Sequence, residues 1–232
     1  MYIDQSLSII VPAKNEAPNI VNTLKKINSV SHLWREVEII LIDDGSSDET
    51  SELGIKYLEE TNLKNTIIKN THSKNLGGVF KQGLQLCKND YVMVIQGQDD
   101  TNVENLKNIF FALSPKIDLV IPFQFNYTDR PFVRWSVSRI FVLILNMITG
   151  FRLEYYNHSV LMKRSLVEKL DIKTSSYAYQ AEIIIKLLRS QKSYRQVPVR
   201  DQFSHKEKTS AFKPKNLIGV LYFFFQVFII RN

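Results

Sequence analysis

Apolar residues along this chain gather into short runs of strand length, separated by stretches of helical period. Leu7–Val11, Val37–Ile42 and Tyr91–Ile95 are the strongest runs, and they suit central parallel strands covered on both faces. Thr66–Lys69 and Asp118–Pro122 read as two shorter strands. Between them, Ile20, Leu24 and Ile27 recur at helical spacing up to about Val30. Further helices are predicted from Glu49 to about Glu60, from Asn75 to near Lys88 with Val79, Leu84 and Leu86, and over Val103–Leu113. Pro12 closes the first strand and Pro115 stops the last of these helices.

Strands alternating with helices predict βαβ units and an α/β fold, a Rossmann-like, mostly parallel sheet flanked by helices. Right-handed crossovers place the carboxyl ends of these strands along one edge, where open α/β sheets bind ligands. The loops Pro12–Glu16, Asp43–Asp48 and Gln96–Asp100 converge there. Neither GxGxxG nor GxxxxGK[ST] occurs, so neither a dinucleotide dehydrogenase nor a P-loop NTPase is supported. Asp99 and Asp100 are adjacent carboxylates that repel and lose water if enclosed, so a cation such as a phosphate-bearing divalent metal is expected beside them. The competing reading is a solvated turn in which Asp100 or Thr101 caps the next helix. Asp43–Asp48 has a similar competing reading as turn and cap chemistry.

Composition narrows the partners. A formal charge of +7 and a pI near 9.3 favour anions: nucleotides, phospholipid surfaces or nucleic acid. One cysteine, Cys87, rules out an internal disulfide and a Cys-based metal site, and a reducing cytoplasmic compartment is the default expectation. The amino terminus does not read as a signal peptide, because an acid stands at position 4 and the apolar run is short. Leu217–Ile230 is apolar on every helical face, and its 14 residues would span about 21 Å as a helix. That falls short of the roughly 30 Å hydrocarbon core. With Lys213, Lys215 and Arg231 at its flanks, it fits a helix embedded in one leaflet. The alternative is a core helix, or a dimer-interface helix that would make the protein a homo-oligomer. The segment Trp135–Phe151 is a second apolar stretch, broken by Arg139 and Asn146.

The blocks SIIVPAKNE, EIILIDDGSSDET and NLGGVFKQGLQLCKNDYVMVIQGQDD resemble the catalytic domain of glycosyltransferase family 2. YAYQAEIIIKLLRSQKSYRQVPV is similar to the region near the end of dolichyl-phosphate mannosyltransferases and bacterial polyprenyl-phosphate glycosyltransferases. RPFVRWSVSRIFVLILNMITG resembles their acceptor-loop and amphipathic-helix region, and HKEKTSAFK a basic segment of theirs more loosely. The resemblance implies a GT-A fold. Residues 1–213 would form the glycosyltransferase domain, with 1–122 as the nucleotide-binding half and 123–213 as the acceptor-binding half. Residues 214–232 would form an apolar, membrane-associated helix. It also implies a UDP- or GDP-sugar donor, a polyprenyl phosphate acceptor, Mg2+ or Mn2+, and a place on the cytosolic face of a membrane. Nucleic acid is not expected, because the basic residues are dispersed.

By position, Pro12, Ala13, Glu16, Asp43, Asp44 and Gln96 would line the nucleotide, with Asp44 accepting from a base imide. The family's Asp-x-Asp metal motif falls on Gln96-Gly97-Gln98, where both acids are amides. The metal set is then drawn from Gln98, Asp99 and Asp100, and a register slipped by two residues would make Asp99 and Asp100 the pair. Amide oxygens suit Mg2+ and Mn2+, but fewer carboxylates weaken binding. An acceptor phosphate needs cations rather than a base, and Arg130, Arg134, Lys206, Lys208 and Lys213 are the candidates, Arg134 foremost. A sugar hydroxyl acceptor would instead need a carboxylate base. Glu182 is the candidate for that role, against a competing reading in which it orients a loop. Asp100, Gln98, Arg134 and Glu182 thus form the expected catalytic set.

Overall fold

The protein, seen in a computed structural model, is described at residues 2–126, 132–200 and 227, with the backbone alone at 132–134. Its strands are β1 (Ile3–Ala13), β2 (Trp34–Asp43), β3 (Lys64–Lys69), β4 (Tyr91–Val94), β5 (Leu119–Gln124), β6 (Leu161–Lys163) and β7 (Tyr194–Val199). Its helices are α1 (Ile20–Ser31), α2 (Thr50–Glu59), α3 (Asn75–Leu84), α4 (Val103–Phe111), α5 (Phe132–Thr149), α6 (Arg164–Val167) and α7 (Tyr179–Arg189). The strands form one sheet in the order β3-β2-β1-β4-β6-β5-β7. All pairings are parallel except those of β6, which runs antiparallel between β4 and β5.

Period-two alternation divides the strands' apolar residues between two layers. Ile9, Val11, Ile39, Leu41, Met93 and Ile95 pack under α1, α2 and α4, against Leu24, Ile27, Leu58, Leu106 and Phe110. Their neighbours Ile10, Ile40, Ile42, Val92 and Val94 pack under α3, α5 and α7, against Phe80, Leu145 and Ile184. Runs apolar at successive positions are what a sheet covered on both faces requires.

The expected strands are all present, and three details differ. Pro12 lies inside β1 rather than ending it, paired with Ile42, because its carbonyl still accepts the Gly97 N–H at 2.9 Å. Helix α3 stops at Leu84, short of Lys88. A last turn follows in which the Leu86 and Cys87 amides still donate to Gly83 O, and then the chain leaves the helix, with Lys88 N–H on Glu38 Oε1 at 2.7 Å and Asn89 N–H on Ser8 Oγ at 3.2 Å. The cap of α4 is Asn102, whose side chain accepts the Asn105 N–H at 2.7 Å, so neither Asp100 nor Thr101 serves as that cap. Among the described residues no helix is long and apolar enough to cross a membrane. The predicted helix at 217–230 lies outside the described residues except for Val227, which is buried.

Candidate functional site

The carboxyl ends of β1, β2 and β4 meet at one edge, and hydrogen bonds tie their loops together. Asn15, in the left-handed region at φ 56°, donates its N–H to Ser46 Oγ at 2.9 Å and accepts the Ser47 N–H on Oδ1 at 2.9 Å. Glu16 N–H reaches Thr50 Oγ1 at 2.7 Å, and Ala17 N–H reaches Asp48 Oδ2 at 3.2 Å. The Thr50 hydroxyl, with the Ala17 and Thr50 backbone amides, holds the Asp48 carboxyl below its ordinary pKa despite some burial. Pro12 and Ala13 are buried at the end of β1, and the Glu16 carboxylate accepts from Asn19 Nδ2 at 2.7 Å.

Asp43 and Asp44 have different surroundings. Asp43 is wholly buried; Oδ1 accepts the Ser46 N–H at 2.8 Å, and Oδ2 meets no donor. Asp44 faces the segment after β3, where Oδ1 accepts from Lys74 N at 2.8 Å and Asn70 Nδ2 at 3.2 Å, and Oδ2 from Ser73 Oγ. Asp44 therefore fixes the path from β3 into α3, at the position expected to face a base.

After β4 the chain passes close beneath the end of β1. A Cβ on Gly97 would lie 3.0 Å from Ala13 Cβ and 3.2 Å from Ile20 Cδ1. Thr23 on α1 donates to Gly97 O at 3.1 Å and accepts the Asp99 N–H at 3.1 Å. Lys26, one turn on, pairs with Asp99 Oδ1 at 2.7 Å and donates to Thr101 O at 2.8 Å. Asp99 is in the left-handed region at φ 61°, which turns its carboxylate toward α1 and away from its neighbours. Gln98 and Asp100 are brought together instead, with Gln98 Nε2 donating to Asp100 Oδ2 at 2.6 Å. Gln96 sits half-buried at the end of β4.

This pair supplies one carboxylate and one amide oxygen to a cation. Among the described residues no cluster of three His, Cys, Asp or Glu side chains could hold a metal. Magnesium is commonly held through one or two carboxylates plus substrate phosphates. The set therefore fits a hard divalent ion that arrives with a diphosphate, rather than one caged by protein alone.

Glu182, on the first turn of α7, is buried and fully engaged. Oε1 accepts from Lys173 N at 2.9 Å and Lys186 Nζ at 2.6 Å, and Oε2 from Thr174 N at 2.8 Å. Burial works to raise its pKa, but the Lys186 ammonium and the two backbone amides outweigh it and hold the carboxyl below the usual glutamate value. The loop it holds lies against the start of α3. Gly77 N–H donates to Ser175 O at 3.0 Å, and a Cβ on Gly77 would lie 2.6 Å from Thr174 O. Arg134 lies in α5, with its side chain outside the described residues; Arg130, Lys206, Lys208 and Lys213 lie outside them altogether. Sequence reading missed Thr23, Lys26, Asn70 and Ser73. Thr23 and Lys26 carry no local motif, and the Asn70 and Ser73 roles depend on contacts across the sheet edge.

The family model described as Glycosyl transferase family 2 matches residues 8–170. A dolichyl-phosphate beta-glucosyltransferase of Dictyostelium discoideum is 31% identical over 110 residues, 44% of this chain and 34% of that protein. A dodecaprenyl-phosphate galacturonate synthase of Rhizobium johnstonii is 24% identical over 168 residues, 70% of this chain and 49% of that protein. The chain thus spans about half or less of the curated relatives it matches. Among solved structures, glucosyl-3-phosphoglycerate synthase from Mycobacterium tuberculosis, with Mn2+, UDP-glucose and phosphoglyceric acid, superposes with a TM-score of 0.72 at 17% identity. That match covers 98% of this chain and 79% of the other, and at this identity the likeness shows a shared GT-A fold.

Proposed function

The chain belongs to glycosyl transferase family 2, and from that premise we propose that it moves one sugar from a UDP- or GDP-sugar to a polyprenyl phosphate at the cytosolic face of a membrane, with inversion. The observation that carries this reading is the Gln98–Asp100 pair, 2.6 Å apart, beside the joined loops of β1 and β2. A diphosphate lying there would meet a cation held by these two side chains. A bound Mg2+ or Mn2+ would supply charge neutralisation for the leaving diphosphate. Several relatives carry names that specify polyprenyl or dolichyl phosphate acceptors.

In this reading the acceptor phosphate is already an anion, so one of its oxygens attacks the anomeric carbon as the bond to the nucleoside diphosphate breaks. No proton is removed in that step. The protein's work is alignment and charge compensation, with Arg134 as the preferred acceptor-phosphate ligand and Arg130, Lys208 and Lys213 as further ones. The state of Glu182 supports this over a sugar hydroxyl acceptor. Both its oxygens are engaged and its pKa is lowered, which fits a loop holder and not a general base poised near neutrality. Membrane contact is supported by α5, whose Val137, Ile140, Leu143 and Met147 are 46%, 55%, 58% and 66% exposed along one face.

The test is incubation with UDP- and GDP-sugars, MnCl2 and a short polyprenyl phosphate, reading lipid-linked sugar. Formation of that product is expected. Nucleotide release without lipid product would favour a different acceptor, and no turnover with any donor would favour a non-catalytic member of the family.

A further inference from the structure

One face of α1 holds the turn that follows β4. Thr23 and Lys26 stand three residues apart on that helix and so share a face. Thr23 is wholly buried, and its hydroxyl joins two points of the turn, donating to Gly97 O at 3.1 Å and accepting the Asp99 N–H at 3.1 Å. Lys26 closes over the same turn. Its ammonium meets Asp99 Oδ1 at 2.7 Å, Thr101 O at 2.8 Å and Asp99 O at 3.5 Å, three acceptors for the three hydrogens an ammonium carries.

This clamp bears on the charge available to a cation. Asp99 takes φ 61°, a conformation that costs a non-glycine residue energy and persists only where its surroundings impose it. Its carboxylate is matched by Lys26 on α1. The cation set next to it, Gln98 and Asp100, then contains one carboxylate where two adjacent acids stand in the sequence. Affinity for a hard divalent ion follows the number of ligand charges. One carboxylate with one amide oxygen leaves most of an octahedral ion's positions to water and phosphate oxygens.

We propose that Thr23 and Lys26 are positioning residues of the cation site: by holding Asp99 on α1 they keep it off the ion, so that metal is retained only while a nucleoside diphosphate is bound. This rests on the nucleotide-sugar reading given above. Metal and nucleotide then tighten each other by the same factor, and the diphosphate leaving after transfer takes the ion with it.

The experiment measures Mn2+ binding to the intact protein from the electron paramagnetic resonance signal of free Mn2+, with and without UDP or GDP, using protein-free controls for the Mn2+–nucleotide complex. The unaltered protein is expected to bind Mn2+ about tenfold or more tightly with the accepted nucleotide than without it. Lys26→Met releases the Asp99 carboxylate, so Mn2+ alone should bind about tenfold more tightly, with less than about twofold change when nucleotide is present. Lys26→Arg keeps the charge and should follow the unaltered protein. Lys26→Met combined with Asp99→Asn should return to it, which assigns the gain to Asp99. Unfolding midpoints report whether each variant is folded. A lysine that only supported the loop would give a Lys26→Met protein with Mn2+ binding unchanged or weakened in both conditions. That result, or a gain that survives Asp99→Asn, would overturn the proposal. Should Lys26→Met not fold, Asp99→Asn alone decides: nucleotide-dependent Mn2+ binding is kept if Asp99 is off the ion and lost if it is a ligand. Failure of the unaltered protein to bind either nucleotide with Mn2+ present would instead overturn the donor-site reading beneath it.

Discussion

Replacing Glu182 with glutamine separates two roles that a helix-borne carboxylate next to an acceptor region could fill. The native side chain is 3% exposed and accepts from Lys173 N, Thr174 N and Lys186 Nζ. A glutamine oxygen can accept from one of the two backbone amides, but its NH2 then faces the other, and Lys186 loses its anion. An unmatched buried donor costs about 1–3 kcal/mol and a hydrogen bond to a charged group contributes about 1.5–3 kcal/mol. Partial rescue by the remaining oxygen and the partial exposure of Lys186 bring the expected loss to about 2–4 kcal/mol. Urea unfolding at neutral pH, followed by circular dichroism, measures it. The pH dependence provides a second check. Because the folded pKa is lowered, the stabilisation is fully present above the unfolded value of about 4.3. It is lost as pH falls through the lower folded value, so Glu182→Gln should show a shallower loss of stability on acidification. A stability change below about 0.5 kcal/mol would refute the loop-holding role. A kcat fall of about 10² or more at unchanged stability would assign Glu182 the base role instead.

Two further outcomes follow from the end of β4. Lys26→Met leaves the Asp99 carboxylate without its 2.7 Å partner; with both side chains about one-fifth exposed (22% and 23%), a loss of about 1–2 kcal/mol is expected, read as a lower urea midpoint. An unchanged midpoint would show that Thr23 alone holds the loop. Gln98→Asp places a second carboxylate beside Asp100, so the protein should be less stable without metal and should saturate with Mn2+ at about a tenfold lower concentration in the presence of UDP. Identical metal titrations for the two proteins would remove Gln98 and Asp100 from the cation site.

Long apolar runs made the fold legible, because a two-sided sheet leaves its strands little polar character. Strand β6 escaped because three residues set between two longer strands leave no periodic trace. In the site, the carboxyl-end loops could be placed from strand ends alone, and the expectation that Gln96 and Gln98 stand where the family has acids came from counting along β4. What Asp99 and Asp100 do was not legible that way. Asp99 takes a left-handed backbone and pairs with Lys26 and Thr23 on α1, while Asp100 meets Gln98; adjacency in sequence made them look equivalent. The Asp44 role was obscured in the same way, since Asn70, Ser73 and Lys74 come to it from across the sheet edge.

The bonds joining Asn15, Glu16 and Ala17 to Ser46, Ser47, Thr50 and Asp48 have an energetic meaning beyond shape. Irregular loops at a ligand edge ordinarily lose conformational freedom when the ligand arrives, and that loss is subtracted from affinity. Here the amides already donate to fixed side-chain oxygens, so the ordering is completed when the chain folds. A nucleotide settling on this floor would keep more of its contact energy as affinity, and would meet the same surface on every encounter.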